Sequence, residues 1–317
     1  MKIGLIGYGS IGKRHAANLL ELGQSDITLL RSIGSGNEQG LKETADINEF
    51  LSADFDCIII SNPTSKHLES MIPFIERDMN LFVEKPVVAT REQSDQLKLL
   101  LNSYTGKGMV GFNMRFHPCI KKVKEITDSE IYGKPLFARL FVGQYLPDWR
   151  PGRDYRNGVS ALRELGGGVV IELIHEIDLS LFLFGNPVNG IKSYAEKISG
   201  LEIETEDISE ILFKSEKGIL VSVHQDYLYR GYRRTIEVIC ENGTVNCDLK
   251  DSVIVVTGEN GQEIYSERIP FERNDMYISM MRYYLSCLQG NIIPAPSLAE
   301  SVGSFLIAAD VKTENNL

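Results

Sequence analysis

Three stretches of the chain concentrate residue types that can do chemistry. In the first, GYGSIG, Gly7, Gly9 and Gly12 spell GxGxxG between the apolar run 2–6 and the helix-spaced segment KRHAANLLELG. The first glycine permits a tight turn, the second lets the backbone approach a pyrophosphate, and the third admits close helix packing. Amides at the helix start, those of Ser10 and Ile11 included, and the helix dipole then favour a diphosphate. A glycine-rich turn with no ligand has the same letters; the strand before it and the helix after it favour dinucleotide binding. In the second stretch, LFVEKP, Lys85 follows an apolar run at the sheet edge where open α/β folds place ligands. Its ammonium can bond to a reacting hydroxyl and stabilise charge developing on the oxygen; a surface lysine is the plainer reading.

In the third stretch Glu172, His175 and Asp178 interrupt an apolar segment at steps of three, which on one helix shares a broad face. Unpaired polar groups there would be costly. His175 can exchange a proton near neutral pH while a carboxylate orients it, or the three can form a structural network. The loop QYLPDWRPGRDYR, 144–156, adds Trp149, Arg150, Arg153, Tyr155 and Arg156. Aromatic faces cover sugar rings and guanidinium groups recognise phosphate or carboxylate, although an interface loop has the same composition. After the strand candidate 26–30 the chain reads LLRSIG, without the acidic residue that contacts a ribose diol. Arg31 can take a ribose 2′-phosphate with help from Ser32, which favours NADP over NAD, or stand as a surface charge. His15, His67, His117 and His224 fall in different predicted elements, so no metal site is expected.

The elements that must hold these groups alternate. Strands are predicted at 2–6, 26–30, 57–61, 81–84 and 109–112, with helices at 65–78 and 90–102, as in a doubly wound parallel sheet. From residue 135 the pattern changes to a strand at 136–145, an irregular loop at 146–165 and one buried helix over 169–184. Strands at 208–214, 218–225, 235–240, 243–248 and 252–257 predict an antiparallel or mixed sheet with helices on one side. Helices are predicted at 275–290 and 297–312. The expected division is 1–118, 119–290 and a C-terminal segment 291–317. The net charge of −10 argues against extended nucleic-acid binding, and no run reaches the length of a membrane helix. Five dispersed cysteines without a CxxC pair, and no apolar leader, predict a reduced, cytoplasmic protein.

MKIGLIGYGSIGKRH, SNPTSKH at 61–67, VEKP at 83–86, GFNMRFHP at 111–118 and GGGVVIELIHEIDLSLFLFG together resemble the Gfo/Idh/MocA oxidoreductase family, and the resemblance covers essentially the whole chain. It implies an α/β fold: an N-terminal Rossmann domain, then a substrate domain whose largely antiparallel open sheet often takes part in oligomers. Carried over by motif, Asn62, Pro63, Thr64 and His67 line the cofactor, Glu84, Lys85 and Pro86 form the nicotinamide-side loop, and Asn113 and Arg115 lie near the cofactor. It also raises Lys85 to the leading catalytic residue. Many members carry an Asp four residues before the helix His, whereas here Glu172 precedes His175 by three, with Leu173 and Ile174 between. The loop resembles a subgroup of bacterial surface-carbohydrate oxidoreductases. The expected function is NAD(P)-dependent oxidation or reduction of a sugar, modified sugar or sugar nucleotide by a homodimer or larger homo-oligomer. A cofactor-binding regulator without turnover, or a redox-assisted sugar lyase or glycosidase, is the alternative.

Overall fold

A computed structural model describes residues 1–31 and 36–317. The chain begins with strand β1 (Lys2–Ile6), helix α1 (Ser10–Glu21), β2 (Asp26–Leu30), β3 (Lys42–Thr44), α2 (Ile47–Ser52), β4 (Cys57–Ile60), α3 (His67–Ile75), β5 (Asn80–Val83), α4 (Arg91–Leu101) and β6 (Gly108–Val110). The six strands form one parallel sheet in the order β3-β2-β1-β4-β5-β6. All four residues of β4 are buried, as befits an unbroken apolar strand in a sheet covered on both faces. Strand order reverses between β1 and β4, the place where open α/β sheets bind ligands.

Then follow α5 (Pro118–Ser129), β7 (Pro135–Gln144), short 3-10 turns over 146–165, α6 (Val169–Glu172), α7 (His175–Phe184), β8 (Lys192–Glu196), β9 (Ile208–Lys214), β10 (Leu220–Asp226), β11 (Tyr232–Cys240), β12 (Gly243–Asp248), β13 (Val253–Gly258) and β14 (Glu263–Arg268). These eight strands form a sheet ordered β14-β13-β12-β11-β7-β10-β9-β8, antiparallel except where β10 runs parallel to β7. Strict alternation buries Leu140, Val223, Ile236, Val245 and Ile254 on the face that α5, α6 and α7 cover. On the opposite face Tyr194, Leu212, Leu220 and Ile239 remain exposed, and the strand registers place all four on that side.

Helices α8 (Asp275–Gln289) and α9 (Leu298–Glu314) complete the chain. By contacts it divides into a unit of residues 1–113 and 273–305 and a unit of 114–272 and 306–317. Helix α8, grouped by the sequence reading with 119–290, therefore belongs to the first unit, where it packs on α1 and presents the Cys287 carbonyl to Lys107 Nζ at 2.7 Å. The end of α9 joins the second unit, where Lys312 reaches the Gly167 carbonyl at 3.3 Å.

Within the second unit a strand start and a helix also change. Strand β11 starts at Tyr232 rather than 235. The helix expected over 169–184 is broken: Leu173 leaves helical geometry (φ −99°, ψ 27°), and its carbonyl accepts a hydrogen bond from Gln225 Nε2 at 2.6 Å. The sequence there is apolar and free of breakers; a buried side chain fifty-two residues away provides the interruption.

Candidate functional site

The three glycines of GYGSIG meet three different constraints. Gly7 has φ +88°, and a Cβ there would lie 2.6 Å from the Asn62 nitrogen. A Cβ on Gly12 would lie 2.2 Å from the Gly7 carbonyl oxygen, so α1 can pack against the turn only without one. At Gly9 nothing of the protein lies within 4 Å of a Cβ. Its side-chain-free surface faces open space at the start of α1, where Gly9 and Ser10 are exposed and the first-turn N–H groups lack intrahelical acceptors. The cradle has the room and the free amides, those of Gly9, Ser10 and Ile11, that could hold a diphosphate. Ser61 braces it by donating to the Gly7 carbonyl at 2.9 Å.

At the end of β2, Arg31 lies over the Tyr8 ring, 5.4 Å from its centroid, and 3.7 Å from Glu43. Tyr8 donates to Gln39 at 2.8 Å, and burial, reinforced by Glu38, raises its pKa. Arg31 thus has a carboxylate neighbour contributed by β3, a strand the sequence reading did not foresee. Ser32 lies outside the described residues.

The loops at 61–67 and 83–86 are joined by His67. Its ring is buried, with Nδ1 2.9 Å from the Pro86 carbonyl and Nε2 3.0 Å from that of Asn62. Burial holds its pKa below the usual value even though both carbonyls favour the charged ring. Asn62 donates to Ser70 at 2.8 Å, Pro63 is exposed and Thr64 half-buried. Glu84 is buried: Oε1 meets His15 Nε2 at 2.6 Å, and Oε2 accepts from the Lys85 N–H at 3.3 Å. Lys85 itself is half-buried. Asn113 is turned into the first unit, its Nδ2 donating to Met276 Sδ at 3.1 Å.

In the second unit the break at Leu173 separates Glu172, the last residue of α6, from His175, the first of α7, so the two do not share one helix face. Glu172 accepts from Ser160 Oγ at 3.0 Å. Asp178 receives both arms of Arg115, at 2.7 and 2.8 Å, and is 1% exposed. Arg115 is thereby drawn onto α7. Sequence reasoning missed a second buried pair beside it: Arg234 of β11 donates to both oxygens of Glu176, at 2.5 and 2.8 Å. Burial opposes the charge on Arg234, but Glu176 outweighs it and raises the pKa. The signal was present in phase: Arg234 shares the inward face of β11 with Ile236 and Val238, where an arginine requires a carboxylate. Two bidentate arginines therefore clamp the first turn of α7, leaving half-buried His175 at a fixed helix end.

The loop expected to contact substrate encloses a cavity of about 280 Å³ lined by Trp149, Arg150, Arg153, Tyr155 and Ser160 among others. Trp149 donates to the Gln144 carbonyl at 3.0 Å, and the Tyr155 hydroxyl accepts from the Glu202 N–H at 3.2 Å, so both rings are fixed. Arg156 does not line the cavity; it binds Asp154 and Glu202. Among the described residues Arg150 and Arg153 form no ion pair. Behind this wall Trp149 meets buried Tyr227 edge-on at 5.1 Å. Tyr227 follows β10, whose end is held by His224: its Nδ1 lies 2.6 Å from Glu210 and its Nε2 2.8 Å from Asp226. Burial opposes the charged ring, yet the bonds to Asp226 and Glu210 prevail and raise its pKa to about 9.

Comparisons with known proteins agree with this architecture. Residues 1–112 match the family model for an oxidoreductase family with an NAD-binding Rossmann fold, and residues 120–246 match the GFO/IDH/MocA C-terminal domain. A myo-inositol 2-dehydrogenase of Thermotoga maritima is 24% identical over 94% of this chain and 91% of its own length. An inositol 2-dehydrogenase of Rhizobium meliloti is 27% identical over 82% of this chain and 79% of its own. Among solved structures, levoglucosan dehydrogenase in complex with NADH and levoglucosan shares the fold at a TM-score of 0.86 and 17% identity, covering 100% of this chain and 97% of that one. The UDP-N-acetylglucosamine 3-dehydrogenase of Acidithiobacillus ferrooxidans does so at 0.78 and 15%, covering 99% and 97%. The glycine cradle, the two sheets and both domain matches make this chain a member of the Gfo/Idh/MocA family and an NAD(P)-dependent oxidoreductase.

Proposed function

We propose that the substrate is a sugar, modified sugar or sugar nucleotide carrying an anionic group, oxidised or reduced at one hydroxyl-bearing carbon. The observation that carries the reading is the cavity of about 280 Å³, in which two fixed aromatic rings stand beside Arg150 and Arg153, which form no ion pair among the described residues. Its size is at the small end of ligand sites, which start near about 300 Å³, and suits one ring rather than a whole nucleotide sugar. Relatives named for inositol and levoglucosan support a polyhydroxylated ring.

The nicotinamide, when bound, supplies the hydride acceptor or donor. Lys85 then bonds to the reacting oxygen and stabilises its charge, and His175 carries the proton. Glu172 with Ser160 orients polar groups at the cavity, and Asp178 acts on His175 through the helix it anchors to Arg115. We assign Arg31 to the 2′-phosphate of NADP. Glu43, 3.7 Å away, opposes that preference, because a carboxylate repels the phosphate and can accept ribose hydroxyls instead. Binding of NAD and NADP to Arg31→Ala and Glu43→Gln separates the two effects; a native preference for NAD, unchanged in Arg31→Ala, rejects the assignment.

The deciding experiment follows nicotinamide absorbance and identifies products for myo-inositol, glucose, glucuronate and UDP-N-acetylglucosamine with both cofactors. Folded Lys85→Ala and His175→Ala variants are expected to lose about 10²-fold to 10⁴-fold in kcat. Arg150→Ala and Arg153→Ala are expected to lose activity selectively on the anionic substrates. A second reading, a cofactor-binding regulator, draws on the separation of Glu172 from His175 by the helix break. NADH binding with no turnover across the panel would favour it, and cleavage without net cofactor change would favour a redox-assisted lyase or glycosidase. We also propose self-association through the open sheet face bearing Tyr194, Leu212, Leu220 and Ile239. Light scattering tests it, and a monomer at micromolar concentration rejects it.

A further inference from the structure

We propose that His15 is a positioning residue for Lys85, coupling the helix that cradles the diphosphate to the loop that carries the lysine. The inference rests on the catalytic reading of Lys85 given above. His15 lies on α1, six residues after the exposed Gly9, and is completely buried. Its Nε2 is 2.6 Å from Glu84 Oε1, while Oε2 of the same carboxylate accepts the Lys85 N–H at 3.3 Å. One carboxylate thus spans from α1 to the Lys85 peptide.

Three further observations make the contact specific. A Cβ on Gly111 would stand 2.8 Å from Glu84 Oε1, so the position of the carboxylate depends on the missing side chain. The His15 Nδ1 is buried with no hydrogen-bond partner among the described residues. A proton there would be an orphaned donor, which places the ring proton on Nε2, donated to Glu84. Phe82 packs nearly perpendicular to the imidazole, with ring centroids 5.2 Å apart, and limits the tilt of the ring. On the far side of Lys85, His67 binds the Pro86 carbonyl at 2.9 Å. Residues 84–86 are therefore gripped at both ends by buried histidines, one from α1 and one from α3. Packing alone would have been met by an apolar residue; a polar pair contributes direction, and the direction it sets is that of the lysine backbone.

The test uses the whole chain as His15→Ala, His15→Gln, Glu84→Gln and Lys85→Ala. In the NADH-free protein, amide exchange over 84–88 should quicken at least tenfold in His15→Ala and return to within threefold of wild type in His15→Gln, whose amide reaches as Nε2 does. With the panel sugar giving the highest turnover, His15→Ala should lower kcat tenfold or more while KM changes less than threefold, and His15→Gln should restore kcat. If His15→Ala fails to fold, Glu84→Gln decides. With its oxygen held by the His15 Nε2–H, its NH2 faces the Lys85 N–H donor to donor, so exchange at Lys85 should quicken and kcat should fall. Wild-type exchange and kcat in His15→Ala, or in Glu84→Gln where that variant decides, overturn the proposal when Lys85→Ala has lost turnover. Full turnover in Lys85→Ala instead overturns the catalytic reading beneath it.

Discussion

The glycine cradle of the first unit and the His175 turn of the second reach precision by opposite routes. In the cradle, the groups offered to the open space are main-chain amides, and their placement follows from glycines two and three residues apart. At His175 the group is a side chain, and the turn beneath it is held by Arg115 and Arg234, which lie 63 and 58 residues from their carboxylate partners. A site built from backbone needs small residues at fixed intervals; one built from buried ion pairs needs the whole sheet folded first. The former tolerates surface change and fails on a methyl group, while the latter fails when either charge loses its partner.

The contrast can be broken most severely at Glu176. Glu176→Ala should destabilise the protein by about 3–5 kcal/mol, because it leaves Arg234 charged and buried without its carboxylate. Urea unfolding measures this, and the double change Glu176→Leu with Arg234→Met should recover most of the loss. A cost below about 1 kcal/mol for the single variant would mean that the pair does not hold the turn.

Within the cradle the same logic separates two glycines. Gly12→Ala should cost about 1–3 kcal/mol, since its Cβ would sit 2.2 Å from a carbonyl oxygen. Gly9→Ala meets no protein atom, so stability should stay within about 0.5 kcal/mol while NADH affinity falls by about tenfold or more. NADH fluorescence titration alongside thermal melting distinguishes the two, and equal effects on both quantities would dissolve the distinction.

The smallest expected effect is a pH slope at His224. Its folded pKa, about 9, exceeds the ordinary value of 6.5, so its contribution is complete below about pH 6.5 and is lost as pH rises through 9. The urea midpoint should therefore decline between pH 7 and pH 10, and His224→Gln should flatten that decline. An unchanged slope in the variant would assign the titration to other groups.

The same difference explains what could be read from the sequence. The parallel sheet and the glycine turn were legible because alternating strands and helices and the spacing of Gly7, Gly9 and Gly12 are local patterns, and β2, β9 and β12 begin and end where periodicity places them. Strands β3, β8 and β14 were not foreseen: each is rich in charged and polar residues, buries little, and is an edge strand recruited by its single neighbour. The break between α6 and α7 was illegible, since Val169 to Phe184 reads as one apolar helix until Gln225 takes the Leu173 carbonyl. Starting β11 three residues late hid Arg234, and with it the partner of Glu176. His15 carried a fainter sign, a polar residue in phase with buried Gly12, Ala16 and Leu19 on α1.

The return of residues 273–305 to the first unit has a consequence in time. Tyr284, from that returning segment, packs edge-on against Phe82 at 5.5 Å, and Lys107 waits for a carbonyl 180 residues downstream. At a synthesis rate of about 5–20 residues per second, a ribosome needs roughly ten to forty seconds after residue 113 to deliver residue 305. For that interval the nascent sheet has all six strands but lacks a helix that will shield it, and the second unit's strands emerge first. A gene cut after residue 113 would make that interval permanent, so a free-standing cofactor module has to carry 273–305 spliced back on.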